Sequence, residues 1–560
     1  MNLLSTLLLA AAAVTNSPTY DLVISGGEIH NGTLAGPVTT DLGIVADRVV
    51  TVGDLSLAKR HQTLDAKGLI VAPGFINTLS WATESLILDG NSQSNIRQGV
   101  TTEIFGEGTS MGPLNAELRQ VLIQRQGDVK YDVPWTSLAE YLQYLEARGV
   151  APNVASFIGA ATVRAHVLGF DDVQPDETQL LKMQELVETA MRDGALGLGS
   201  SLIYAPGSYA STEELVALAR VVGKYGGMYI SHMRSEGDRL LEALDELIHI
   251  AEQGRVPAEI YHLKFSGREN WSKYSTAIAR IEQARANGLE ITANMYTYTA
   301  GSTGLDAAMP TWAQAGSLAA WIQRLQDPDQ RVRIAREMQE PSDWENLLLQ
   351  AGPEGTLLVG FKNPELRHYI GKTLADVAES RGKPAHEVAM DLVVEDGSRV
   401  QVIYFLMAED NIRKKIQLPW MAFGSDAASL TAAGHFLNQG THPRAYGNFA
   451  RVLAKYVREE RLISLNEAVF KLSGLPAERM KLKNRGKLLP GYFADVAIFD
   501  ANKIQDHATF AEPHQYATGM VHVLVNGQLV LHHGEHTGAR PGRALYGPGF
   551  TQVASTKEEE

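Results

Sequence analysis

The chain has 560 residues, 44% of them hydrophobic and 20% charged, with a formal net charge of −14 at pH 7. That balance is ordinary for a globular protein of several domains, or of one large barrel with additions, and its acidity argues against a nucleic-acid partner, which needs a basic face. There is no cysteine, so disulfides, thiolate metal ligands and thiol nucleophiles are excluded.

The N-terminus reads MNLLSTLLLAAAAVTNSPTYD. Its apolar run, residues 3–14, is too short to cross a bilayer but suits the core of a secretion signal, although no basic residues precede it. We therefore expect residues 1–18 to be a signal segment, cut near residues 13–17, and the protein to be secreted or periplasmic. No later segment is long and apolar enough for a membrane helix, so the processed chain is expected to make no membrane contact. The terminal KEEE is a solvated tail.

Residues 20–71 are strand-like and rich in turns, as in DLVISGGEIHNG and DLGIVADRVVTVGD. The same style returns near the other end, in FADVAIFD and MVHVLVNGQLVLHHGEHTG. Two such ends around a long middle predict one small β-domain, built from residues 19–71 and 483–550. Between them, residues 72–482 alternate short apolar strands with amphipathic helices, the pattern of a parallel sheet with crossover helices. Residues 301–370 break the rhythm with Pro, Trp and Gln-rich helical text and are expected to form an insertion over the barrel mouth. No internal repeat is present.

Residues 226–264 organise the middle. Two apolar runs, MYIS and AEIY, are each followed by a histidine, His232 and His262. Between them residues 237–253 carry apolar side chains at helical spacing. A strand–helix–strand unit of this length joins neighbouring parallel strands, so both histidines are expected at carboxyl strand ends, where α/β barrels place their chemistry. Neutral imidazole is the common ligand of zinc-like metals. The Gly-rich GALGLG lacks the spacing of a dinucleotide site, and His532, His533 and His536 are expected at the surface.

In chain order, the words GVTTEIFGEG, GALGLGSSLIYAPGSYASTEELVALA, YISHMRSEGDRLLEA, YHLKFSGRENW, ITANMYTYTAGSTGL, FGSDAASL, THPRAYG and LKNRGKLLPGYFADVAIFD resemble the amidohydrolase superfamily, and within it the N-acyl-D-amino-acid deacylases. The resemblance implies a distorted (β/α)8 TIM barrel (α/β class) with a small β-sandwich domain made from both chain ends. It also implies hydrolysis of an N-acyl amide on a D-amino acid by a metal-bound water. One departure is large. The family's His-x-His after the first barrel strand is replaced in GFINTLSWA by Leu79 and Trp81, and Asn77 stands for the acid. Neither Leu79 nor Trp81 offers a lone pair, so the first metal position of a binuclear site cannot be built this way; Trp81 is expected to fill the vacated space as core. The bridging cysteine is also missing, and Glu107 is the nearest residue able to coordinate.

His232 and His262 match the family's ligands at the remaining position, with Glu107 as the expected third, so one Zn2+ per chain is expected. Asp426 matches the aspartate that takes a proton from the water and returns it to the leaving amine. Lys264 and Arg444 match basic residues that hold the substrate carboxylate. Tyr204 matches a donor to that carboxylate, and Tyr296 a donor to the scissile carbonyl, with Tyr298 competing for the second role. His442 is placed with the substrate-binding residues, orienting Arg444 or a neighbouring loop. The expected partner is a small N-acyl amino acid or dipeptide. Two alternatives are the same fold turned to a cyclic amide or lactone, and a non-catalytic relative that binds a small carboxylated ligand. Oligomeric state is not legible.

Overall fold

The structure is a computed structural model and describes residues 18–551. The expected signal run, residues 3–14, lies outside the described residues. Among them no helix is long and apolar enough to cross a membrane.

Eight parallel strands form the centre: Phe75–Asn77, Val100–Phe105, Asn153–Ser156 continued by Ile158–Gly159, Gly197–Ser201, Met228–His232, Ala258–Ile260, Ile291–Met295 and Met421–Phe423. They pair in that order. The ring closes where the Thr78 amide donates to Phe423 O, Ser80 bridges Ala427, and the Asp426 amide donates to Leu79 O. The strands are buried along their lengths, as a barrel with an outer ring of helices requires.

The expected unit at residues 226–264 is present, with one shift. Met228–His232 lies beside Ala258–Ile260, with Ser231 opposite Ile260. The helix begins at Leu240, three residues late, because Ser235 Oγ accepts from the Gly237 and Arg239 amides and holds the chain in a turn. It ends at Gly254 and buries Leu240, Leu244, Leu247 and Ile250. Each such side chain contributes about 1.5–3 kcal/mol of burial. The preceding helix, Thr212–Lys224, starts at Ser211, whose hydroxyl accepts from the Glu214 amide.

Strands from both ends share one nine-stranded sheet. Tyr20–Ile29 pairs with Arg60–Asp65 through residues 20–25 and with Ile70–Pro73 through residues 28–29. The switch occurs at Gly26, which takes φ +68 in a bulge against Val38–Val45. C-terminal strands Val496–Phe499, Met520–Val525 and Gln528–His532 extend the sheet from Ile70–Pro73. Leu22, Ile24, Leu42, Ile44, Leu488, Val496 and Leu524 make a common core from the two ends.

The interruption between the seventh and eighth strands is longer than the expected residues 301–370. Its three-stranded antiparallel sheet joins Ala300–Gly304 to Gln401–Phe405, with Thr356–Gly360 on the other side. The last strand is therefore a hundred residues from its partner, and local periodicity carries no sign of that pairing. A separate core including Leu325, Ile334, Leu358, Val388, Val402 and Tyr404 packs inside it.

Candidate metal centre

Glu107, His232 and His262 meet at the carboxyl mouth of the barrel. Each offers one ligand atom, and the three atoms lie within 4.8 Å of one another. Glu107 Oε1 is 3.0 Å from His232 Nδ1 and 2.8 Å from His262 Nε2. All three side chains are buried. Glu107 reaches the centre because Gly106, at φ +108, turns the chain after the second strand; a Cβ there would lie 2.4 Å from Phe157 O. His262 sits two residues past its strand at φ +34, a sparsely populated backbone region for a residue with a side chain. Among the described residues no other group of three His, Asp or Glu converges in this way. His522, His532 and His533 do cluster, with ring centroids 4.3–5.1 Å apart, but the His533 amide donates to His522 Nδ1 and their ligand atoms do not converge.

The donor set fits a zinc-class cation. Two imidazole nitrogens and one carboxylate oxygen make the three-ligand set that leaves a fourth position open. His262 Nδ1 is 3.0 Å from Glu236 Oε1, the carboxylate backing that fixes a tautomer and turns the other nitrogen's lone pair toward a metal. His232 Nε2 is buried without a hydrogen-bond partner. Burial would raise the Glu107 carboxyl, but charge on His262 and hydrogen bonds from both imidazoles hold it well below the usual carboxylate range. Burial and Lys264 press His262 down, while Glu236, Glu107 and Asp426 outweigh them and raise it to about 9.

Asp426 faces this cluster from the end of the eighth strand, at φ +49. Its Oδ2 is 2.8 Å from Arg444 Nη1 and its Oδ1 accepts from Trp81 Nε1 at 3.1 Å. Arg444 is 2% exposed, yet its Nε and Nη1 have no aligned acceptor. The hydroxyls of Tyr296 and Tyr298 are likewise buried and unpartnered. Each unmade bond of this kind costs about 1–3 kcal/mol unless a ligand or water completes it. Tyr296 lies 6.3 Å from the His262 ring, with the Arg444 guanidinium 4.3 Å over its face. Tyr298 points instead among His442, Phe510 and Arg451. The structure therefore puts Tyr296 beside the Glu107–His232–His262 cluster and Tyr298 behind it. Tyr204 stands edge-on to His232 at 5.4 Å, with Arg399 over its other side.

Lys264 and Trp81 take positions other than those expected, and His442 takes the orienting one. Lys264 Nζ donates to Glu236 Oε1 at 3.0 Å and Oε2 at 3.1 Å, and lies 2.5 Å from His262 Nδ1, so it is packed into this buried pair. It neutralises the glutamate behind His262 rather than presenting a free cation to a carboxylate. His442 is also fully used: Nε2 donates to Ala300 O at 2.9 Å and Nδ1 accepts from the Arg444 amide at 3.0 Å. Burial and the charge of Arg444 hold it well below its ordinary value, hence neutral, so it positions Arg444 and offers no nitrogen to a substrate. Trp81 does not fill core. It is 38% exposed, and its indole N–H is shared between Glu107 Oε2 and Asp426 Oδ1. Leu79, 1% exposed among Ile76, Ile104, Phe157 and Ile230, fills the space instead.

Asn77 explains itself once Glu103 is seen beside it. Glu103 is fully buried, and burial raises its carboxyl. Asn77 Nδ2 donates to Glu103 Oε2 at 2.9 Å and to Ser425 Oγ at 2.8 Å, while its Oδ1 accepts from the Ser425 amide. An acid at residue 77 would face another carboxylate; the amide instead ties the first strand to the loop carrying Asp426. Sequence reasoning missed Glu236, although it lies four residues after His232 in SHMRSEG. A cavity of about 850 Å³ between barrel and insertion, lined by Arg234, Arg239, Trp271, Trp344 and Glu345, contains none of the cluster residues.

Residues 62–531 match the sequence profile of the amidohydrolase family. The chain belongs to that family. This amidohydrolase is 32% identical over 536 residues to a D-aminoacylase of Alcaligenes xylosoxydans xylosoxydans, covering 95% of this chain and 98% of that enzyme. It superposes with TM-score 0.78 and 30% identity on a D-aminoacylase described as having a binuclear metal centre, with one-metal activation and second-metal attenuation. It superposes equally well, at 28% identity, on the N-acyl-D-glutamate deacylase of Bordetella bronchiseptica in complex with zinc and a phosphonate mimic of the tetrahedral intermediate. Each match covers 94% of this amidohydrolase and all of the other chain. Those structures show a TIM barrel with an added β-domain, the class expected from the sequence, and the relatives make this chain a deacylase-like hydrolase of carbon–nitrogen bonds.

Proposed function

We propose that this amidohydrolase removes the acyl group from N-acyl-D-amino acids, using one zinc ion held by Glu107, His232 and His262. The observation that carries the reading is the convergence of those three ligand atoms opposite Asp426, beside Arg444 Nε and the Tyr296 hydroxyl, two buried donors that have no acceptor of their own. When bound, the ion polarises the amide carbonyl and acidifies water. Asp426 takes the proton of the attacking water as the new C–O bond forms, then delivers it to the nitrogen as the C–N bond breaks. The Tyr296 hydroxyl donates to the carbonyl oxygen as it gains charge. Arg444, held by His442, takes the substrate carboxylate in its planar fork. Glu236 and Lys264 keep His262 in place.

The arrangement serves small substrates with a free carboxylate next to the acylated nitrogen. The apolar run at residues 3–14 further supports a secreted or periplasmic enzyme, which the N-terminal mass of the mature protein from a periplasmic fraction would check. The functional test is direct. Metal is stripped with a chelator, Zn2+ is returned, and carboxylate release is followed on N-acetyl-D- and N-acetyl-L-amino acids, with N-acetyl-D-glutamate included. Hydrolysis that disappears, returns with zinc and favours the D-series is expected. Saturable binding without hydrolysis at full zinc loading would establish the non-catalytic alternative, which the loss of the His-x-His pair favours.

A further inference from the structure

Asn77, Leu79 and Trp81 share one register of the first strand and its extension, because side chains alternate along a strand. Asn77 is engaged with Glu103 and Leu79 is closed into the core, so only Trp81 reaches the mouth. Its backbone is fixed by a 3.0 Å bond from its amide to Ala427 O, next to Asp426. Its indole carries a single donor and no acceptor. That N–H lies 2.9 Å from Glu107 Oε2 and 3.1 Å from Asp426 Oδ1, and each carboxylate commits its other oxygen elsewhere, Glu107 to the imidazoles and Asp426 to Arg444.

Two carboxylates this close repel unless something positive lies between them. Here the positive end of an indole N–H dipole does so. We propose that Trp81 is a positioning residue whose N–H bridges Glu107 and Asp426, doing with a shared hydrogen bond what a second cation would do between two such carboxylates. The bridge turns Glu107 so that Oε1 alone faces the imidazoles, and it sets the direction of the proton-accepting Asp426. The proposal rests on the reading of Glu107 as a ligand.

Trp81→Phe keeps the ring bulk and removes only the N–H. Partners that orient metal ligands from behind typically change affinity 10–100-fold. In competition with a chromophoric chelator, Trp81→Phe should therefore bind Zn2+ 10–100-fold more weakly than wild type. At saturating zinc its kcat should fall at least tenfold with KM within twofold, a split that simple loss of folded protein does not produce. Zinc affinity and kcat both within twofold of wild type would overturn the proposal. A second measurement does not depend on that variant folding. The chain has seven tryptophans. With 15N-labelled indoles, one N–H resonance should shift in Asp426→Asn and move again when Cd2+ is added to wild type. Seven unshifted resonances in Asp426→Asn would refute the bridge. Wild type that binds no Zn2+ would sink the metal reading by itself, while the indole response would still report whether the bridge exists.

Discussion

Glu345 gives the sharpest quantitative prediction. It lies on the insertion, buried, where Ser235 Oγ donates to Oε2 at 2.6 Å and Gln350 Nε2 donates to Oε1 at 3.0 Å. Ser235 belongs to the turn after His232, so this contact docks the insertion beside the Glu107–His232–His262 cluster. Burial is the main cause that raises the carboxyl from 4.5 to about 7; Glu236 adds to it, and the two hydrogen bonds oppose it. The native state therefore binds the proton more tightly than the unfolded chain. Stability from this group is present in full below pH 4.5 and lost as pH rises to about 7. At about 1.4 kcal/mol per decade, the loss is about 3 kcal/mol at most. Glu345→Gln keeps the acceptor for Ser235 and removes the titration. Urea unfolding of the zinc-loaded protein at several pH values from 5 to 8 measures it. Wild type should lose about 2 kcal/mol more than Glu345→Gln across that range, the rest of the loss falling below pH 5. Parallel pH curves for the two proteins would refute the argument that this carboxyl is held protonated by burial.

Three further expectations follow from the centre. Asp426→Asn should lower kcat by about 10²–10⁴-fold, the usual span for a lost general base, while equilibrium dialysis finds Zn2+ binding unchanged. Glu236→Gln leaves Lys264 without its counter-charge and His262 without its carboxylate, and should weaken Zn2+ binding about 10–100-fold by chelator competition. Arg444→Met should raise KM for N-acetyl-D-amino acids by about one to two decades, since a hydrogen bond to a charged group contributes about 1.5–3 kcal/mol; unchanged KM would remove Arg444 as the carboxylate anchor.

Much of the centre was legible because its parts lie at strand ends. Residues 226–264 carry an apolar run, a histidine, a helical stripe and a second run with its histidine, and that alternation alone places His232 and His262 on neighbouring strands. Glu107 was reached only through the family resemblance, as the nearest residue able to coordinate where the bridging cysteine is missing. The long pairing of Ala300–Gly304 with Gln401–Phe405 was not, since sheet register between distant segments leaves no local period. The same holds for Glu103 and Asn77, whose partnership appears only when the first two strands lie side by side.

The amino-acid order by itself determined the barrel, the two-ended β-domain and the two imidazoles, because strands and helices repeat with periods that survive in one dimension. Tertiary structure decided what the polar side chains touch. It turned Lys264 and His442 inward, made Glu236 the support of His262, and swung Trp81 out of the core to share its one hydrogen between two carboxylates. A side chain's partners depend on direction over a few ångströms, and residues 26 to 345 positions apart supply them here.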